Sequence, residues 1–224
     1  MQRQIAGSEP RVGMLETVRE FALEQLAAAG ELSALEHRHA EYYLALVEAA
    51  EPHLVGPQQR LWLDRLAAEH DNVRAVLRWS TREDDRKLIG SRLAGALVGF
   101  WWIHGHWREG LQWLEEMGTD DGRVPPSTRA KVLHGAGVLA EALGHLGRAS
   151  DLYVESLELC EALDDRRGIA LALIGVGAVA MHQGEAVRAR EMLERSLVLG
   201  RDLNEQTLVA HALVNLGALT LDGG

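Results

Sequence analysis

Small residues in this chain recur every 40 positions, and that spacing constrains the fold more than any other feature. Ala130, Ala170 and Ala210 form one row, Gly137, Gly177 and Gly217 a second, and Gly144, Gly184 and Gly224 a third. Ala149 and Ala189, Ser156 and Ser196, Leu157 and Leu197, and Leu163 and Leu203 keep the same interval. A fixed period of this size marks a solenoid, in which each unit buries its apolar face only against its neighbours. Stacked units leave a long concave surface, so the first expectation is binding rather than catalysis.

Within each unit the apolar periodicity is helical, and one helix ends at a glycine before a second returns antiparallel to it. The units read as 85–127, 128–167 and 168–205, with a partial unit at 206–224. Gly137, Gly177 and Gly217 fall mid-helix, where a glycine costs about 1 kcal/mol relative to alanine. A cost repeated at one register implies a helix contact too close for a Cβ, with Ala149 and Ala189 on the facing helix. The chain has only 5 prolines, which suits long helices.

Upstream, residues 1–13 are polar and read as a flexible N-terminus, and residues 14–84 as an irregular helical segment. Leu15, Val18, Ala22, Leu23 and Leu26 fall at helical spacing, and Gly30 is a natural stop. A second helix runs from Ser33 to about Glu51, with Leu35, Tyr42, Tyr43 and Leu46 on its apolar side. A third starts near Pro57 and carries Leu61, Trp62 and Leu66. A fourth ends near Ser80, with Asp71 or Asn72 as its cap and Val73, Val76 and Leu77 as its buried stripe. No stretch alternates as a strand does. The expectation is an all-α chain of about eleven helices.

Charge and cysteine usage narrow the function classes. The net charge of −10 is spread along the chain and leaves no basic stripe, so direct nucleic-acid binding is not expected. The single cysteine, Cys160, excludes an intrachain disulfide and a multi-cysteine zinc site. No apolar run reaches the ~20 residues a membrane span needs, and nothing resembles a signal peptide. A cytoplasmic protein that makes no membrane contact is expected.

The small residues carry a resemblance. Asn215-Leu216-Gly217, Val176-Gly177 and Ala136-Gly137 share one register, Gly144 and Gly184 mark the turn, and Ala149 and Ala189 fall early in the second helix. This pattern resembles a tetratricopeptide array, and its longer unit is similar to that of MalT-like bacterial regulators. MLETVREFALEQL at 14–26, HRHAEYYLALVEAAEP at 37–52 and WLDRLAAEHDNVRAVLRWS at 62–80 occur in order. They look like a block of the large bacterial signal-transduction (STAND) ATPases, in which an ATPase and a winged-helix segment precede it. Helical repeats follow, and a LuxR-type output domain is often attached. The resemblance implies a right-handed superhelix of antiparallel helix hairpins. It also implies a non-catalytic sensor module of a transcriptional regulator, one that binds an effector or partner and relays its presence to an ATPase switch. The chain departs from that pattern in having no G-x-x-x-x-G-K-[ST] loop and no basic recognition helix, so neither ATP hydrolysis nor DNA reading carries over.

Transferring the groove register of the tetratricopeptide family gives Arg92, Trp102, Lys131, His134, Glu141, Ile174, Met181, His182 and His211 as candidate contacts. They suit a protein or peptide partner or a small-molecule effector. Trp101 and Trp113 belong to the core between paired helices. Leu213, Leu216 and Leu219 of the partial unit form an apolar face with no intrachain partner, a candidate interface for a homodimer. The alternatives to a sensor are therefore a self-assembly scaffold and a metal-dependent enzyme using groove histidines. Ten histidines keep the second open: His104 and His106 flank Gly105, His145 repeats the register of His106, and His70 sits beside Glu69 and Asp71. No pair has the spacing of a helical His-x-x-x-His site, so no cofactor, metal or catalytic residue is assigned.

Overall fold

The structure is a computed structural model that describes residues 2–6, 9–119 and 122–221. Gly224, the last of its row, lies outside them. The chain forms two compact units, Met1–Tyr42 and Tyr43–Gly224.

The first unit begins with two strands, β1 (Gln2–Ala6) and β2 (Glu9–Gly13), paired antiparallel with Gln2 opposite Gly13 and Ala6 opposite Glu9. No strand was expected here. The segment offers only Ile5 and Val12 as β-branched residues, and Pro10 removes a ladder donor, so propensity points away from a sheet. Helix α1 (Glu16–Ala28) follows, and its stop at Gly30 is as expected, with φ at +72°. Its apolar stripe is mostly open: Leu15, Val18, Phe21 and Leu23 are exposed, and only Ala22 and Leu26 are half-buried. Helix α2 (Leu32–Ala50) spans the boundary between the units.

In the second unit the expected third and fourth helices are one helix, α3 (Gln59–Ser80). Asp71 and Asn72 cap nothing. Asp71 accepts a hydrogen bond from Arg74 at 3.3 Å, and Asn72 donates to Glu69 at 2.7 Å. The two stripes named for the separate helices continue one another, with Leu63, Leu66, Val73, Val76 and Leu77 buried along one face and Leu61 left in solvent. Among the described residues there are thus ten α-helices rather than eleven.

The remainder is a series of hairpins: α4 (Lys87–His104) with α5 (Trp107–Met117), α6 (Pro126–Ala142) with α7 (Leu146–Ala162), α8 (Arg166–His182) with α9 (Ala186–Asp202), and then α10 (Gln206–Leu221). Consecutive helices pack on one another, which makes the fold an all-α helical-repeat solenoid. Helices α6 to α9 have 17 residues each, and each with its three-residue turn fills half of the 40-residue period. Five of the turns close in the same way. His106 N–H bonds the carbonyl of Trp101, His145 that of Ala140, Asp165 that of Cys160, Glu185 that of Ala180 and Glu205 that of Gly200, all at 2.9–3.0 Å. This six-residue closure needs a left-handed residue. Glycine supplies it within hairpins (Gly144 at φ +76°, Gly184 at +77°), while Asp164 (+53°) and Asn204 (+56°) supply it between them.

The rows of small residues mark where helices touch. Ser156 Oγ donates to the carbonyl of Ala130 at 2.9 Å, and Ser196 Oγ donates to that of Ala170 at 2.8 Å. One bond, repeated after 40 residues, fixes the second helix of a unit against the first. A Cβ on Gly137 would lie 2.7 Å from the Tyr153 ring, and one on Gly177 would lie 2.8 Å from Leu193 Cγ. Around Gly217 nothing comes within 4 Å. Trp101 is fully buried as expected, and Trp113 is half-buried.

Candidate functional site

The first helix of each hairpin contributes one wall of a groove of about 740 Å³. Gly95 and Val98 come from α4, Lys131, His134, Gly135 and Val138 from α6, Arg167 and Leu171 from α8, and Thr207 from α10. The turn at Glu51–His53 closes one side, and Ser156 and Cys160 of α7 reach the floor. The volume is that of a small-molecule site.

Repeat geometry explains which residues arrive there. Ser127, Arg167 and Thr207 stand 40 apart, as do Lys131 and Leu171, so each set occupies one row across successive helices. A further row, Gly95, Gly135 and Gly175, was not singled out from the sequence, although its spacing is the same. At Gly135 it lets Val98 of α4 in, where a Cβ would lie 2.4 Å from Val98 Cγ2, and at Gly175 it lets α7 in, where a Cβ would lie 2.5 Å from the Tyr153 ring. Tyr153 is therefore wedged between Gly137 of α6 and Gly175 of α8, and its hydroxyl donates to Glu141 Oε2 at 2.9 Å. Burial, with the Glu141 charge behind it, raises the phenol well above its usual range.

Of the nine groove candidates, the structure brings Lys131 and His134 to this cavity. Lys131 Nζ meets Glu51 at 2.6 Å. His134 packs its ring 5.5 Å from that of Tyr153, and its Nδ1 is buried with no hydrogen-bond partner. Burial pushes this imidazole down to about 4, with the Arg167 charge acting in the same direction, so it is neutral at pH 7. The others lie elsewhere. Arg92 is held by both oxygens of Glu48, at 2.9 and 2.8 Å. Trp102 is half-exposed against Trp107, whose indole N–H donates to the Trp102 carbonyl at 2.9 Å. Glu141 bridges Tyr153 and the exposed His182, the latter at 3.5 Å. Met181 packs on Ala180, Ala189 and Leu219, Ile174 is half-buried, and His211 is exposed on α10.

The terminal face is smaller than expected. Leu219 is buried against α8 and α9 and is not part of an open surface. Its place in the last turn of α10 sets it over Ala180 and Ala189, two small residues that leave room for a leucine. Leu216 is half-buried, and Leu213 and Val214 remain exposed.

The histidines gather in one other place. His70 of α3 lies 4.8 Å from His106 ring to ring, and His106 lies 6.2 Å from His104. Phe100 packs at 5.1 Å from His70 and 4.7 Å from His104. Glu109 of α5 is gripped by Arg74 through two bonds of 2.7 and 2.6 Å, which hold its carboxyl below the usual range. His70 Nε2 sits 3.5 Å from the same carboxylate, yet burial lowers its pKa. The pairing of His70 with His106 was not legible, because they are 36 residues apart, one on α3 and the other in the turn before α5. Among the described residues no group of three or more His, Cys, Asp or Glu is arranged to hold a metal ion. Cys160 is buried and its thiol is raised by that burial and by Asp165, which makes it a poor nucleophile.

No protein-family model matches the chain. Its relatives include a protein of Mycobacterium bovis and two from strains of Mycobacterium tuberculosis, all named as HTH-type transcriptional regulators. Each is 37% identical over 128 residues, which is 55% of this chain and 14% of the relative. The match thus spans about a seventh of those proteins' length. In fold the chain is similar to the crystal structure of BtubC (BKLC) from P. vanneervenii, with a TM-score of 0.57 at 18% identity over 82% of both chains. No helix among the described residues is long and apolar enough to cross a membrane. The chain is an all-α helical-repeat solenoid, and over about half its length it resembles proteins named as transcriptional regulators.

Proposed function

We propose that this chain is the sensing segment of a bacterial transcriptional regulator, a non-catalytic, cytoplasmic array of tetratricopeptide-like hairpins whose groove takes an effector or partner. The observation that carries this reading is the groove itself, walled by the first helix of every hairpin from α4 to α10. The relatives named as HTH-type regulators support the regulatory context, and the repeat spacing supports MalT-like units of a STAND protein. Occupancy would act through differential affinity for two arrangements of the hairpins. The test is a metabolite screen by thermal shift on the wild type and on Val98→Arg, which fills the groove, with mass spectrometry of the recovered compound. The reading expects stabilisation of the wild type only, and recovery of the compound unchanged. Equal stabilisation of both proteins, or conversion of the compound, would overturn it.

A second reading, self-assembly through α10, is favoured by the exposure of Leu213 and Val214. It requires a concentration-dependent dimer in sedimentation that Leu213→Glu abolishes.

A further inference from the structure

The groove holds two cations, and both are reachable. Lys131 and Arg167 are 47% and 59% exposed, and each is tied to one carboxylate, Glu51 at 2.6 Å and Glu205 at 2.9 Å. Those carboxylates are themselves 37% and 34% exposed. Ion pairs of this kind contribute little to stability, and a released carboxylate that already touches water loses little on becoming fully hydrated. Either cation can therefore exchange its present partner for an incoming anion at small cost. The remaining acid of the groove, Asp165, is committed elsewhere: it accepts from Gly168 N–H at 3.0 Å as the cap of α8, where the helix dipole offsets its charge.

Two further features define what accompanies the anion. His134 lines the same cavity with Nδ1 buried and unpartnered, which leaves Nε2 as its remaining hydrogen-bonding edge. Placing the proton on Nε2 spares the buried site an unpaired N–H, so the ring is set to donate. Val98, Val138 and Leu171 give the cavity an apolar lining beside these donors. Among the residues that line the groove, Lys131 and Arg167 are the two cations, and Ser127, Thr207 and Leu171 of the same rows are uncharged.

We propose that the groove binds a small organic acid, its carboxylate taken by Lys131 and Arg167 with Nε2–H of His134 as a third donor, and its apolar body laid along Val98, Val138 and Leu171. Binding displaces Glu51 and Glu205 from the two cations. It thereby unties the Glu51–His53 turn from α6 and the start of α10 from α8. The proposal rests on the groove being the ligand-binding face.

Two probes of one shape test it: naphthalene-1-carboxylate and the uncharged naphthalene-1-carboxamide, titrated into the 224-residue chain with amide NMR and calorimetry as readouts. The carboxylate should bind about tenfold more tightly than the amide, the worth of one charge-assisted hydrogen bond. Binding should shift the signals of Val138 and Leu171. Lys131→Gln and Arg167→Gln should each remove most of that preference. Glu51→Gln and Glu205→Gln should tighten the carboxylate and leave the amide unchanged, an effect that misfolding cannot imitate. Equal affinities for the two probes would overturn the acid specificity and leave the groove reading standing. Binding of neither, or shifts confined to other surfaces, would overturn both.

Discussion

At the scale of single residues, the same substitution should behave oppositely at three positions of one row. Gly137 and Gly177 sit against Tyr153 and Leu193, while Gly217 has open space around it. Alanine gains about 1 kcal/mol of helix propensity at each site. At Gly137 and Gly177 that gain is outweighed by overpacking of about 1–3 kcal/mol. Urea unfolding should therefore show Gly137→Ala and Gly177→Ala less stable than the wild type, and Gly217→Ala equal to it or more stable. His134 makes a second residue-scale prediction. Its folded pKa, about 4, lies below the ordinary value of 6.5, so between those values the unfolded chain binds the extra proton. Its contribution is present above pH 6.5 and is lost as pH falls toward 4. Arg167 adds to the penalty on the charged ring. Stability measured by urea across this window should fall with pH, and His134→Gln should flatten that part of the slope. The remaining loss below it belongs to carboxylates held low, such as Glu109 beside Arg74.

At the scale of elements, the hairpin is the unit, and one side-chain bond per hairpin records it. Ser156→Ala and Ser196→Ala each remove a buried bond to a helix carbonyl. Each should cost about 1 kcal/mol. Because the sites belong to different hairpins, the double variant should be close to the sum. The last helix offers a paired comparison: Leu219→Glu buries a charge against Ala180 and Ala189 and should destabilise the fold strongly, whereas Leu213→Glu, already in solvent, should be neutral in thermal melts. The hairpins were legible because a strict period marks packing positions in the sequence: the rows of Ala130, Gly137, Gly144 and Ser156 return every 40 residues, whereas Tyr153, which packs against Gly137, was not singled out. Upstream of Asp85 that redundancy is absent, and the errors gather there. Asp71 and Asn72 looked like caps because their side chains suit one, yet the apolar stripe from Leu63 to Leu77 runs through them without a break. Strands β1 and β2 were missed because nothing apolar alternates in residues 2–13.

At the scale of the whole molecule, the candidate site is a property of the stack and of no single segment. The period fixed which helices face inward, and so two of the nine candidates, Lys131 and His134, reach the cavity. It did not fix which side chains would be spent on neighbours. Arg92 is taken by Glu48, Glu141 by Tyr153 and His182, and Met181 by the α8–α9 core, contacts between residues 40 or more apart in some cases and set only by tertiary packing. Arg167 was missed because a charged residue in a first helical turn reads as solvated, although its spacing from Ser127 and Thr207 places it in the groove row. The central claim is that the inner face of the hairpins is where this chain meets its ligand. The most direct measurement is a fragment library mapped by amide NMR on the uniformly labelled chain. The account predicts that fragments converge on Gly135, Val138 and Leu171 and lose that convergence in Val98→Arg. Convergence instead on the His70–His106 cluster or on the exposed face of α10 would contradict it.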